Sequence, residues 1–512
     1  MKFSKRAVLL LIIASSLIIN TSCQEINKKL SEINPSSEKQ KIEEDTSKEN
    51  VNNNEKEEDK PVEVSNNDVQ NNTEKKQEEV IKGTLVPGTK QEMMTADYWI
   101  KLLKDGNKVI MNEENIHKFN TNIIKKVSTV VDINNYKASL TKKELTNFIN
   151  DYKLPTKTMY DSKGKVITKA YYDKLLKNRN LESIKENNKV RYGVAIKRTA
   201  IRSFPALEGV YDSSKEARID RFQETSCEPC EPVIILHTSK DGKWYFIQTF
   251  NYRGWTNIEN IAAAKDKNEF LQYSKPAEFI VITGTHVTLD KDLKNVPVKD
   301  LEFYMGNRIP IEKKDIPEKI DSISTEGKYI VKLPTRNDKG YLSVQLSMIT
   351  KNEDASLGYL TYTRANIIKQ AFKFQGEKYD WGNKFDGADC SSFIMSVYKT
   401  FGIELPRNTD EQEKSAGKVF IFKKGDNNTS RNAILDKVLP GAAIYMEGHV
   451  MMYLGKVNGE HFVIHDFAGY GKKDGAAYVF APVYEVAVTT TMLPMSNGTP
   501  YIQKFTSAIQ LQ

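Results

Sequence analysis

The stretch YDWGNKFDGADCSSFIMSVYKTFG, residues 379–402, decides how this chain is read. Phe393, Ile394, Val397, Tyr398 and Phe401 recur at helical spacing, which predicts a helix starting at Cys390, with Asp389 as its cap and Gly402 as its end. Cys390 then sits on the first turn. A thiol with a pKa near 8.5 is only a few per cent thiolate at neutral pH. A helix N-terminus, worth about half a positive charge, favours the thiolate, and an imidazolium partner would add to it. Asp389 opposes both, because a neighbouring carboxylate disfavours a second negative charge. It is either a cap alone or the receiver of a positively charged substrate group.

Working outward, three of the six histidines lie C-terminal to this helix. In PGAAIYMEGHVMMYLG, residues 440–455, two consecutive strands are predicted, with His449 beginning the second. In HFVIHD, residues 461–466, His461 and His465 are four apart and so share one face of a strand. Cysteine, then histidine, then a polar orienting residue is the chain order of papain-like sites, although spacing alone suits structural histidines as well.

Three other cysteines have quieter explanations. Cys227 and Cys230 form a CxxC in SCEPCEP. Zinc needs about four ligands and the chain has no second pair, so a local disulfide or two structural thiols is expected rather than a metal site. Cys23 ends the apolar run AVLLLIIASSLII, which follows the basic start MKFSKR. That run is too short to span a bilayer and predicts a secretory signal over residues 1–23. Thr21 and Ser22 before Cys23 resemble the lipobox of bacterial lipoproteins, with Asn20 where such signals carry leucine. A diacylglyceryl anchor on Cys23 is expected, with ordinary cleavage nearby as the alternative.

At 512 residues several domains are expected. Residues 24–89 are mostly Glu, Lys, Asn and Ser, a charged tether that cannot bury enough apolar surface to order itself. Residues 90–189 predict a small helical domain: Thr95 caps a helix with Trp99, Leu102 and Leu103 on one face and Gly106 at its end, and Thr141 with Glu144 forms a capping box. Residues 190–266 and 275–352 are β-rich and suit two small barrels, and residues 356–512 alternate helix and strand around Cys390. The fold class is multidomain α+β. The net charge of +8 falls mainly on the folded part, since the tether is acidic, which suits an anionic envelope polymer. No aromatic-and-basic pattern points to nucleic acid.

The series TYTRANIIKQAFKFQGEKYDWGN, ADCSSF, LPRNTDEQ and PGAAIYMEGHVMMYLG followed by VIHD resembles the motifs of the NlpC-type murein cysteine endopeptidases, in the group with a clip domain and two bacterial SH3-like barrels. The resemblance runs from about residue 90 to the C-terminus. It implies Cys390 as nucleophile, His449 as base and acid, His465 as its orienter, and Tyr379 beside the oxyanion. It also implies Trp381, Asp389, Ser391 and Arg407 in the substrate cleft, with Asp389 facing the free amine of a stem peptide. The implied reaction cleaves the γ-D-glutamyl–diamino acid bond of peptidoglycan through a thioester, without cofactor or metal, by an exported, lipid-anchored, monomeric envelope protein. An amidase or acyltransferase with the same site, or an inert wall-binding lipoprotein, are the alternatives. Asn383 stands where the family often has glycine, and Glu447 where proline is common.

Overall fold

Between residues 90 and 189 four helices bury their apolar faces against their neighbours rather than against each other. The computed structural model describes residues 82–512 apart from 292, 295–297 and 299; Cys23, the signal and the tether up to residue 81 lie outside the described residues. The helices are α1 (Ala96–Lys101), α2 (Glu113–Lys126), α3 (Lys142–Asn150) and α4 (Lys169–Asn178). Trp99 on α1 and Phe119 and Ile123 on α2 enter the core of the C-terminal domain, where the Trp99 ring lies 5.5 Å from Phe462 and its N–H donates to Met93 O at 2.8 Å. Leu145 and Ile149 on α3 instead pack with Phe246 and Trp255 of the following β-rich region.

The capping box forms as a reciprocal pair: Glu144 N–H donates to Thr141 Oγ1 at 3.2 Å, and Thr141 N–H to Glu144 Oε2 at 2.9 Å. The first helix departs from expectation. It ends at Lys101, Leu102 is 56% exposed, and the Thr95 hydroxyl donates back to Glu92 O instead of capping α1. A six-residue helix turns too little surface inward to bury all three apolar residues: Trp99 is fully buried, Leu103 packs half-buried against the same core, and Leu102 is left outside.

Residues 191–263 hold a seven-stranded antiparallel sheet whose period-two alternation gives two buried faces. Val233, Ile235 and Ile247 point into the barrel, while Ile234, Phe246 and Trp255 meet α3. Residues 279–357 form several short antiparallel sheets around Ile280, Ile282, Phe303, Val331 and Met348, rather than one closed sheet.

The C-terminal domain places α5 (Arg364–Lys373) and α6 (Cys390–Lys399) on a six-stranded sheet. Its strands are β1 (Lys418–Ile421), β2 (Ala443–Met446), β3 (His449–Val457), β4 (Glu460–Asp474), β5 (Ala477–Thr490) and β6 (Phe505–Gln510), in the order β1-β6-β2-β3-β4-β5. Thr363 caps α5 and Asp389 caps α6. Helix α6 lies across β3 and β4, with Phe393 and Val397 packed in one core with Met452 and Ile464. Gly402, at φ +79°, ends it in a left-handed turn where a Cβ would press on the Tyr359 ring.

Candidate active site

Cys390 is the first residue of α6, buried to 8% exposure, directly after a cap whose carboxylate is fully engaged. Asp389 Oδ1 accepts from Ser392 N–H at 3.0 Å, Ser391 Oγ at 3.1 Å and Arg407 Nη1 at 3.1 Å; Oδ2 accepts from Arg407 Nη2 at 2.6 Å and Gly382 N–H at 3.1 Å. Burial pushes this carboxyl up, but the Arg407 guanidinium and the N–H donors outweigh it and hold it below its ordinary value. Arg407 also donates to Ser391 Oγ at 2.8 Å and to Thr225 Oγ1 at 2.6 Å, the latter from the seven-stranded region.

Asp389 thus serves as the cap of the nucleophile turn, held by Arg407, Ser391 and two backbone N–H groups. Arg407 and Ser391 belong to the same knot.

His449 begins β3 and is half-buried. Its Nε2 lies 2.7 Å from His465 Nδ1, and His465 Nε2 lies 2.9 Å from Thr489 Oγ1 on the neighbouring strand β5. The His465 ring is fully buried and stacked 4.2 Å from Phe467. Burial holds His449 down to about 4, and burial together with the adjacent His449 holds His465 well below its ordinary value. Both imidazoles are therefore neutral at neutral pH. His461, on the same face of β4, goes elsewhere: its Nδ1 lies 2.7 Å from Tyr453 OH and its Nε2 3.4 Å from Asp436.

Tyr379 lies in a short segment that pairs in parallel with Ala388, two residues before Cys390, and its N–H donates to Tyr484 O at 2.9 Å. Trp381 is half-buried, with the Arg221 guanidinium 6.0 Å from its ring centroid. Gly382 and Asn383 follow at φ +62° and +51°. Asparagine tolerates the left-handed region better than other non-glycine residues, which explains how Asn383 fills a position where glycine is common.

Residues from the seven-stranded region were missed by sequence reasoning. Thr225 reaches Arg407, and Gln223 Nε2 donates to Gly382 O at 2.8 Å. Between them Glu224 Oε2 accepts from Tyr252 OH at 2.6 Å, with its carboxyl pushed up by burial and drawn partly back by Tyr252 and Arg407. No local motif announces them; only the fold brings residues some 160 to 180 positions away to this turn.

Cys227 and Cys230 are not joined by a disulfide. Cys227 lies in the first barrel's core, whereas Cys230, at φ +66°, turns into the core of residues 279–357. Of the two expected outcomes, structural thiols fit and a local disulfide does not. Burial raises both thiols, and near Cys227 the carboxylates of Glu231 and Glu228 act in the same direction.

Comparisons with known proteins match two parts of the chain. Residues 376–472 match the model of the NlpC/P60 family, and residues 208–257 match an SH3 domain of the SH3b1 type. The bifunctional muramidase/DL-endopeptidase CwlT of Bacillus subtilis (strain 168) is 36% identical over 55 residues, 10% of this chain and 17% of that protein's length. The solved structure of an NlpC/P60 endopeptidase from Photobacterium damselae subsp. piscicida aligns over 81% of this chain and 96% of its own, with TM-score 0.64 and 18% identity, a likeness of fold. The part of the chain that holds Cys390, His449 and His465 is thus an NlpC/P60 domain, preceded by an SH3 domain of the SH3b1 type.

Proposed function

We propose that this protein is an exported cysteine endopeptidase of the bacterial cell wall that cleaves the γ-D-glutamyl–diamino acid bond of peptidoglycan stem peptides. The observation that carries this reading is the hydrogen-bonded row His449–His465–Thr489 on β3, β4 and β5, beneath a helix that begins at Cys390. If His465 Nε2–H donates to Thr489, His465 Nδ1 accepts from His449 Nε2–H. His449 Nδ1 then carries the lone pair and serves as the base.

In the proposed reaction His449 Nδ1 takes the Cys390 thiol proton as sulfur attacks the γ-D-glutamyl carbonyl. The oxyanion is held by first-turn N–H groups of α6 and the Tyr379 hydroxyl. Collapse of the tetrahedral intermediate expels the diamino-acid amine, which receives the proton from His449 and leaves a thioester. His449 next deprotonates water, whose attack releases the glutamyl carboxylate and restores the thiol. Trp381 lines the cleft. With Asp389 committed to Arg407, Glu224 is the carboxylate assigned to a substrate's N-terminal ammonium. Cys23 is assigned the lipid anchor.

Defined muropeptides with and without a free L-alanine terminus, digested by wild type and Cys390→Ala and analysed by mass spectrometry, test the reading. Release of diamino-acid fragments by wild type alone supports it. Equal release by both proteins, or an adduct on an added amine in place of hydrolysis, sinks it. Glu224→Gln is expected to raise KM for free-terminus peptides and leave acetylated ones unaffected.

A further inference from the structure

The loop from Trp381 to Ala388 carries a cleft aromatic and runs straight into the Asp389–Cys390 turn, yet much of what holds it comes from outside its own domain. Arg198, in the first barrel, donates through Nη2 to Asn383 O at 3.0 Å and Gly387 O at 3.3 Å. Its guanidinium lies 3.8 Å from the centroid of the Tyr304 ring, and its Nε lies 3.7 Å from Glu228. Tyr304 belongs to the 279–357 region, and its hydroxyl lies within donating distance of Glu302 Oε2 at 3.1 Å and of Asp386 Oδ1, on the same loop as Trp381, at 3.2 Å. The loop itself is tightly folded: Gly382 and Asn383 are successive left-handed residues, and a Cβ at Gly387 would stand 2.4 Å from Lys378 O.

We propose that Arg198 is a positioning residue for the substrate cleft: it sets the 381–388 loop from the first barrel and, stacked on Tyr304, makes that setting depend on the second β-rich region too. The physical reason is geometric. A planar guanidinium can bond two carbonyls and stack on an aromatic face at once, whereas a lysine ammonium is a single point charge. Held this way, Trp381 and the nucleophile turn keep one arrangement, and the peptidase cleft is incomplete without both neighbours. The inference rests on the reading of the Cys390 cleft as the active site.

The test uses the full chain. Of its four tryptophans, Trp99, Trp244 and Trp255 are at most 5% exposed, so acrylamide quenching of fluorescence reports mainly on half-buried Trp381, with Trp381→Phe as the blank. In Arg198→Met, quenching is expected to rise and kcat/KM on stem peptides to fall roughly 100-fold, the scale of a 1 Å misplacement. Arg198→Lys should fall between this variant and wild type in both readouts, and Tyr304→Leu should move both in the same direction. A folded Arg198→Met with wild-type quenching overturns the proposal, whatever its activity. If that variant does not fold, unchanged quenching in Tyr304→Leu overturns it instead. Increased quenching in proteins that all fail to cleave stem peptides upholds the inference and removes the proposed reaction.

Discussion

Cys390 and the Cys227–Cys230 pair are the same chemical group in two surroundings. Cys390 heads a helix whose cap is bound to Arg407, with two neutral imidazoles in a row on the sheet below. Cys227 and Cys230 are two residues apart from each other and enter different hydrophobic cores, where burial pushes both thiols up. Proximity in sequence alone gives that pair no reactive setting. Placement at a helix start, beside an ion pair and two imidazoles, is what separates the third cysteine from them.

The largest effect that sharpens this contrast is on turnover. Cys390→Ala is expected to lower kcat by roughly 10⁶-fold, as loss of a nucleophile does elsewhere, while Cys227→Ala and Cys230→Ala stay near wild type in a muropeptide assay. Next comes the ion pair. Arg407→Met leaves the buried Asp389 carboxylate uncompensated and should cost about 3–5 kcal/mol in urea unfolding, whereas adding Asp389→Asn should recover part of the loss. Full stability in the single variant would remove the knot from the comparison.

Acid provides a third measure. His461 is nearly fully buried and held down to about 4 from 6.5 by burial. Its depressed folded value means that its contribution is intact above pH 6.5 and is lost as pH falls toward 4. The unfolded chain binds a proton there that the folded chain refuses, which amounts to about 3 kcal/mol. His449 and His465 add in the same direction. Urea midpoints at pH 7.5, 6 and 4.5 should therefore decline, and a flat series would contradict the buried neutral imidazoles. The smallest signal is chemical: iodoacetamide on the native protein should label Cys390 and spare Cys227 and Cys230 by peptide mapping.

What sequence made legible follows from range. Asp389, Cys390, Gly402 and the Thr141–Glu144 box are local signals, and the backbone obeys them because caps act within three residues. His465 was separable from His461 only through its motif, since both lie on one strand face. The pairing of Asp389 with Arg407 was hidden although both residues were singled out, because eighteen residues separate them and only the fold closes that gap. Thr225, Gln223 and Arg198 were further out of reach, for their partners lie in another domain. For Cys230 the sequence left a disulfide and a structural thiol open, and only the left-handed backbone, which turns the second thiol away from the first, decides between them.

The helices of residues 90–189 have a consequence for how such a chain can be cut or recombined. Trp99, Phe119 and Ile123 fill a core that also belongs to the C-terminal domain, while Leu145 and Ile149 complete the outer face of the first barrel. The borders drawn along the sequence are thus not the borders of independent folding units. A catalytic cassette excised at residue 356 would carry an open apolar socket where Trp99 had been, and would aggregate. A recombined chain would need this helical segment to travel with both of the cores it fills.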